Sequence, residues 1–95
     1  MIIWDWIKDK VPVSLAIKKR AEDDVTVVYG KELEICYLNK IGGRFIDLCD
    51  GHNTFDDIVN HLMKIYDVDE NVLKCDIVEL SRDLQWKRLI KLEGS

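Results

Sequence analysis

The apolar positions along the chain change rhythm at Leu38-Asn39, from every second residue to every third or fourth. Before that point Val13, Leu15 and Ile17 alternate with Ser14, Ala16 and Lys18, the run Val25–Tyr29 is β-branched and aromatic, and Leu33, Ile35 and Tyr37 alternate with Glu34, Cys36 and Leu38. A period of two is that of a half-buried strand, so three strands are expected, with the polar residues 19–24 turning between the first and second. Gly30-Lys31 parts the second run from the third by two residues, glycine first, which predicts a type II′ hairpin and an antiparallel pair. The stretch 32–38 then ends a meander, and one of its edges has no partner within it. An open edge is where another peptide can add itself as a strand.

After Leu38 the spacing becomes helical. Asn39 is a helix cap, and Ile41, Phe45, Leu48 and Cys49 place a first helix over residues 39–49, ending at Asp50-Gly51, where glycine takes the left-handed conformation. Gly42 and Gly43 inside it cost together about 2 kcal/mol relative to alanine, which either a close backbone approach or a weak first turn accounts for. Thr54 with Asp57 has the pattern of a capping box, and Phe55, Ile58, Val59, Leu62, Met63 and Tyr66 form one continuous core stripe. Asp67 and Asp69 are caps for a third helix that carries Leu73, Ile77, Leu80 and Leu84 on one face and continues to Lys87. At 100° per residue, Val72, Asp76 and Asp83 lie on one flank of that face and Lys74, Ser81 and Gln85 on the other. Residues 89–92 are expected as a short final strand or a tail packed on the helices. The expected fold is α+β: a three-stranded antiparallel sheet over 13–38, then a three-helix bundle over 39–95, winged helix-turn-helix-like, in one domain with an N-terminal extension at 1–12.

Ninety-five residues suffice for one modest core, and a chain that is 47% hydrophobic and 34% charged folds rather than staying disordered. The net charge of -4 with a pI near 5.1 argues against sequence-independent nucleic-acid binding, which needs clustered Lys and Arg. Cys36, Cys49 and Cys75 stand alone with no Cys-x-x-Cys pair, as in a reducing compartment where cysteines act as small buried hydrophobes, so neither metal nor disulfide is expected. The apolar start is broken by Asp5 and followed by Lys8-Asp9-Lys10, without a basic leader, so neither a secretion signal nor a membrane span is expected and the protein is placed in the cytoplasm. Trp4 and Trp6 are expected to pack on the domain's own surface, the alternative being a patch for a partner or a second copy.

Catalysis finds no constellation. His52 and His61 have no third ligand at a useful spacing, no serine sits in a Gly-x-Ser-x-Gly turn, and Gly42-Gly43 does not extend into a phosphate loop, so no catalytic residue and no cofactor is assigned. Two other readings remain. A winged-helix regulator would read DNA with the third helix, where Glu70, Asp76, Glu79 and Asp83 stand against Lys74, Arg82, Lys87 and Arg88, leaving phosphates little to hold. A homodimer would pair its own third strands and need no peptide.

From Leu38 onward the ordered pieces are Leu38-Asn39-Lys40-Ile41-Gly42 leading to Leu48-Cys49-Asp50-Gly51, Thr54-Phe55-Asp56-Asp57-Ile58-Val59, Tyr66-Asp67-Val68-Asp69, Cys75-Asp76-Ile77-Val78-Glu79-Leu80 running to Leu84, and Leu89-Ile90. This set resembles the PqqD-like family, peptide-recognition elements of ribosomal peptide natural-product pathways, named for pyrroloquinoline quinone biosynthesis protein D. The resemblance implies a small non-catalytic chaperone that takes up the leader region of a precursor peptide as an added strand on its third strand, in a groove shared with its third helix. It implies leader binding by the backbone of Leu33, Glu34, Ile35, Cys36 and Tyr37, with Val72, Asp76, Leu80 and Asp83 lining the helical wall. Asp76 matches an aspartate common in the family's third helix. The implied partners are the precursor peptide and a modifying enzyme, a radical S-adenosylmethionine maturase or a leader peptidase of the lasso-peptide kind, with no nucleic acid, no membrane, and a monomer or weak homodimer. Gly43 departs from the alanine frequent in relatives. The Trp-rich first seven residues have no counterpart; as a candidate contact for the enzyme, they are expected to be dispensable for leader affinity.

Overall fold

The computed structural model describes residues 2–32 and 34–94. In chain order these form α1 (Ile2–Ile7), β1 (Val11–Ser14), β2 (Lys18–Glu22), β3 (Val25–Tyr29), β4 (Ile35–Leu38), α2 (Lys40–Leu48), α3 (Phe55–Ile65), α4 (Glu70–Trp86) and β5 (Ile90–Glu93). The architecture is α+β, as expected, with an antiparallel meander in the order β2-β3-β4 and, besides the expected elements, a separate β1-β5 pair and the helix α1.

The helix ends form where capping chemistry dictates. The Asn39 side chain accepts from the Gly42 N–H at 2.8 Å and that of Asp69 from the Val72 N–H at 3.1 Å. Thr54 and Asp57 exchange side-chain to backbone hydrogen bonds in both directions, each 3.1 Å. Such caps satisfy the orphan N–H groups of a first turn. Phe55, Ile58, Val59 and Leu62 of α3 are buried as one stripe, and the Phe55 ring stacks on Phe45 of α2 with centroids 6.0 Å apart. Gly51, just past α2, has φ 85°.

Gly43 answers the question its sequence raised. A Cβ there would collide with Oγ1 of Thr26 on β3 and come within 3.0 Å of the Thr26 Cβ, which the strand holds in place. Helix α2 therefore lies on β3 at glycine distance. Gly43→Ala should destabilise by about 1–3 kcal/mol through overpacking, although alanine is intrinsically the better helix former by about 1 kcal/mol. A melting curve of the variant checks the sign.

The strands differ from expectation in three ways. The polar stretch at 19–24 is mostly strand: β2 pairs with β3 from Lys18↔Tyr29 to Glu22↔Val25, and only Asp23-Asp24 turn, with Asp23 at φ 53°. All of β2 is exposed, so it carries no apolar alternation; its ladder and the Lys19–Asp47 ion pair to α2 hold it. Second, the expected first strand leaves the meander, since β1 pairs with β5 from Val11↔Glu93 to Ser14↔Ile90. Third, the last meander strand starts at Ile35, and the connection from Gly30 is closed by the Gly30 N–H donating to the Glu34 carbonyl at 2.9 Å. Gly51 alone among the described glycines has a positive φ, so Gly30 does not form the type II′ corner.

Residues 2–12 are tied to the rest of the domain. Lys10 and Lys8 carbonyls accept from the Phe55 and Asp56 N–H groups at the start of α3, at 3.0 and 3.1 Å, and Trp4 is 4% exposed in the core with the Lys74 ammonium 5.2 Å from its ring centroid. Trp6 is 81% exposed. Because α1 packs on α4, the buried arc of α4 widens to take in Val78 and Ser81, whose hydroxyl donates to the Val78 carbonyl at 3.0 Å. Ser81, expected on a flank, is core, while Leu80 is only half-buried.

No helix among the described residues is long and apolar enough to cross a membrane. All three cysteines are free. The Cys49 thiol donates to the Phe45 carbonyl at 3.2 Å, and burial, with the Asp50 carboxylate beside it, pushes it from 9.0 up to about 12. The folded chain then holds this proton more tightly than the unfolded chain, so the contribution is complete below about pH 9 and is lost as pH rises toward 12. Urea unfolding should show stability falling above about pH 9 by up to about 1.4 kcal/mol per pH unit from this group, and Cys49→Ala should remove that share of the slope.

Candidate functional site

Strand β4 is the end of its sheet: in the order β2-β3-β4 only β3 pairs with it. Which of its backbone groups are open follows from register. The Gly30 N–H to Glu34 carbonyl bond makes those two residues a hydrogen-bonded pair, and antiparallel pairs alternate. Cys36↔Val28 and Leu38↔Thr26 are then bonded, while Ile35↔Tyr29 and Tyr37↔Val27 are not. The Tyr29 carbonyl fits this parity, since it turns the other way to accept from the Ile17 N–H at 2.9 Å. The N–H and C=O groups of Ile35 and Tyr37 therefore point out of the sheet edge.

Side chains follow the same alternation. Cys36 and Leu38 face the core at 5% and 4% exposure, and Ile35 and Tyr37 stand on the outer face at 49% and 73%. The last turn of α4 reaches toward the edge from the inner side. The Lys87 ammonium lies 3.0 Å from the Asp83 carboxylate and 3.9 Å from the Cys36 sulfur, so one side chain spans helix and strand. Its hydrogen bond to Asp83 and the nearby Cys36 raise the Lys87 pKa above its ordinary value. Burial pushes the Cys36 thiol up, and Lys87 offsets part of that rise. Beyond the helix end Arg88 turns with φ 58° and pairs with Glu32 at 3.7 Å.

Of the residues singled out in the sequence, Ile35, Cys36, Tyr37 and Asp83 come together here, with Lys87 as the link. Leu33 lies outside the described residues. Glu34 is half-buried in the connection before β4, its carbonyl taken by Gly30. Leu80 is half-buried and packs against the core, and Asp76 and Val72 are exposed further along α4, Val72 about 16 Å from Asp83 along the axis. Lys87 escaped the sequence reading, although its i,i+4 spacing from Asp83 was the available signal. Trp86, 87% exposed on the last turn of α4, had none. Among the described residues no group of three or more His, Cys, Asp or Glu side chains is placed to hold a metal ion.

An open edge at β4 with a helix end leaning over it places the chain among small α+β modules built around an exposed edge. Residues 25–90 match the family described as coenzyme PQQ synthesis protein D, PqqD, and the chain belongs to that family. It is also similar to a solved structure described as TbiB1 in complex with the TbiA(beta) leader peptide, at 26% identity and a TM-score of 0.69, over 87% of this chain and 95% of that one. No curated relative matches.

Proposed function

We propose that this chain is a non-catalytic recognition element that binds the leader region of a ribosomally made precursor peptide by strand addition to β4. It would present the rest of the precursor to a modifying enzyme. The reading is carried by the outward N–H and C=O groups of Ile35 and Tyr37, which form an unused ladder beside the end of α4. That the similar TbiB1 structure holds a leader peptide supports it. The proposed site is the backbone of Ile35 and Tyr37, a floor at Cys36, and a wall of Leu80 and Asp83 with Lys87. Val72 and Asp76 would meet a longer leader along α4, and Glu34, its carbonyl taken by Gly30, lies outside the open ladder. The client enzyme is a radical S-adenosylmethionine maturase or a leader peptidase of the lasso-peptide kind, and the setting is the cytoplasm, where such precursors are made.

The near-balanced charge of α4 weighs against the DNA-reading alternative, since Glu70, Asp76, Glu79 and Asp83 face solvent on the helix beside Arg82, with Lys87 and Arg88 at its end tied to Asp83 and Glu32. Magnitudes weigh on the binding mode. The four backbone groups of Ile35 and Tyr37 contribute about 2–6 kcal/mol net at about 0.5–1.5 each, whereas micromolar affinity needs about 8 kcal/mol after the entropy of association is met. Side-chain contacts must supply the difference, which is how an edge gains selectivity. Fluorescence anisotropy with labelled synthetic leader peptides of ribosomal precursors tests the proposal. Saturable binding at micromolar concentration, lost when the leader sequence is scrambled, is expected; equal binding of the scrambled peptide, or none at about 1 mM domain, contradicts it.

A further inference from the structure

The outer face of the sheet has an uneven composition that strand pairing alone does not explain. Residues directly opposite one another share a face, so Lys18, Tyr29 and Ile35 form one outer row and Arg20, Val27 and Tyr37 the next. A solvated face of an antiparallel sheet is ordinarily polar. Strand β2 conforms, with Lys18, Arg20 and Glu22 exposed, whereas β4 puts Ile35 and Tyr37 there. A shallow concavity of about 430 Å3 opens across the sheet between Ile17, just before β2 and 62% exposed, Lys18, Tyr29, Gly30 and Ile35 of β4. Helix α2 packs on the opposite face, where Thr26, Val28, Cys36 and Leu38 lie. On the outer face both side chains of β4, Ile35 and Tyr37, are exposed and apolar or aromatic, and they are the same two residues whose backbone points out of the open edge.

That coincidence selects an occupant. Residues of a strand hydrogen-bonded to Ile35 and Tyr37 sit directly opposite them, and the pleat forces their side chains onto the same outer face. We propose that the leader carries two apolar or aromatic residues, two positions apart, which pair with Ile35 and Tyr37 and cover them on the outer face. The residue between them turns to the inner side, where it meets the Lys87 ammonium and the Asp83 carboxylate, and is polar. This inference rests on the strand-addition reading and adds to it an apolar–polar–apolar signature, whose apolar positions are read on the sheet's outer face beside the contacts made at the α4 wall.

The test is a displayed library of random peptides selected on the immobilised protein, followed by binding of the enriched peptides to an Ile35→Thr, Tyr37→Thr double variant. Threonine keeps the strand backbone, and both side chains are exposed, so circular dichroism and β4 amide spectra should stay native. Selection on the wild type is expected to enrich apolar residues at two positions spaced i and i+2. Those peptides should bind the variant at least tenfold more weakly while still shifting the β4 amides at higher concentration. Equal binding to both forms, with β4 amides still shifting, would overturn the outer-face inference and leave strand addition standing. No enriched peptide, or peptides that leave the β4 amides unmoved, would overturn both. Unchanged peptide affinity with slowed processing by the modifying enzyme would assign the face to the enzyme and overturn the inference too.

Discussion

Ile35→Pro is expected to weaken leader binding at least tenfold, the equivalent of about 1.4 kcal/mol, without unfolding the protein. The Ile35 N–H faces out of the sheet, so the imino ring removes a donor that the folded chain does not use, and edge strands accept proline at such positions. The added strand would lose that hydrogen bond and meet the ring carbons in its place. One residue further on the outcome reverses. Cys36→Pro deletes a donor paired with Val28 and should cost about 3 kcal/mol or more of stability, so that denaturation and not a specific loss of affinity is what is seen. Circular dichroism for the fold and anisotropy for the affinity separate the two. Native spectra with undiminished affinity in Ile35→Pro would mean that the leader does not use this edge.

Trp4→Ala is expected to destabilise the protein by about 3–5 kcal/mol, and Trp6→Ala by no more than about 0.5 kcal/mol. The two tryptophans stand two residues apart on one short helix, yet Trp4 is at 4% exposure under Lys74 and Trp6 is at 81%. A loss of that size is a large part of the 5–15 kcal/mol that holds an ordinary domain together. Removing residues 1–7, expected from the sequence to spare leader affinity, would therefore reach the leader site through the fold. Urea midpoints of the two single variants provide the check, and a Trp4→Ala midpoint within about 0.5 kcal/mol of wild type would refute the packing of α1.

What could be read in the sequence is set by where the information lies. The helices α2, α3 and α4 announce themselves because a cap and a 3.6-residue stripe are local, as with Asn39, Thr54-Asp57 and Asp69. Strand β2 does not, since alternation records burial of one face and all five of its residues are exposed. The pairing of Val11–Ser14 with Ile90–Glu93 joins opposite ends of the chain, which no window of neighbouring residues contains. Helix α1 has six residues, too few for a stripe, and Trp4 reaches the core through long-range packing, on α4 among others. At the site, the edge itself was legible as the end of a meander. The parity that turns the Ile35 and Tyr37 backbone outward was not, because it depends on register with β3, and a slip of one residue would invert it.

An NMR titration of the labelled protein with the synthetic leader addresses strand addition at β4 most directly. The amides of Ile35 and Tyr37 are expected to shift and to gain protection from hydrogen exchange, while that of Cys36, already paired with Val28, keeps the protection it has. Leader binding that leaves Ile35 and Tyr37 exchanging as freely as before, with shifts confined to other elements, would contradict the account.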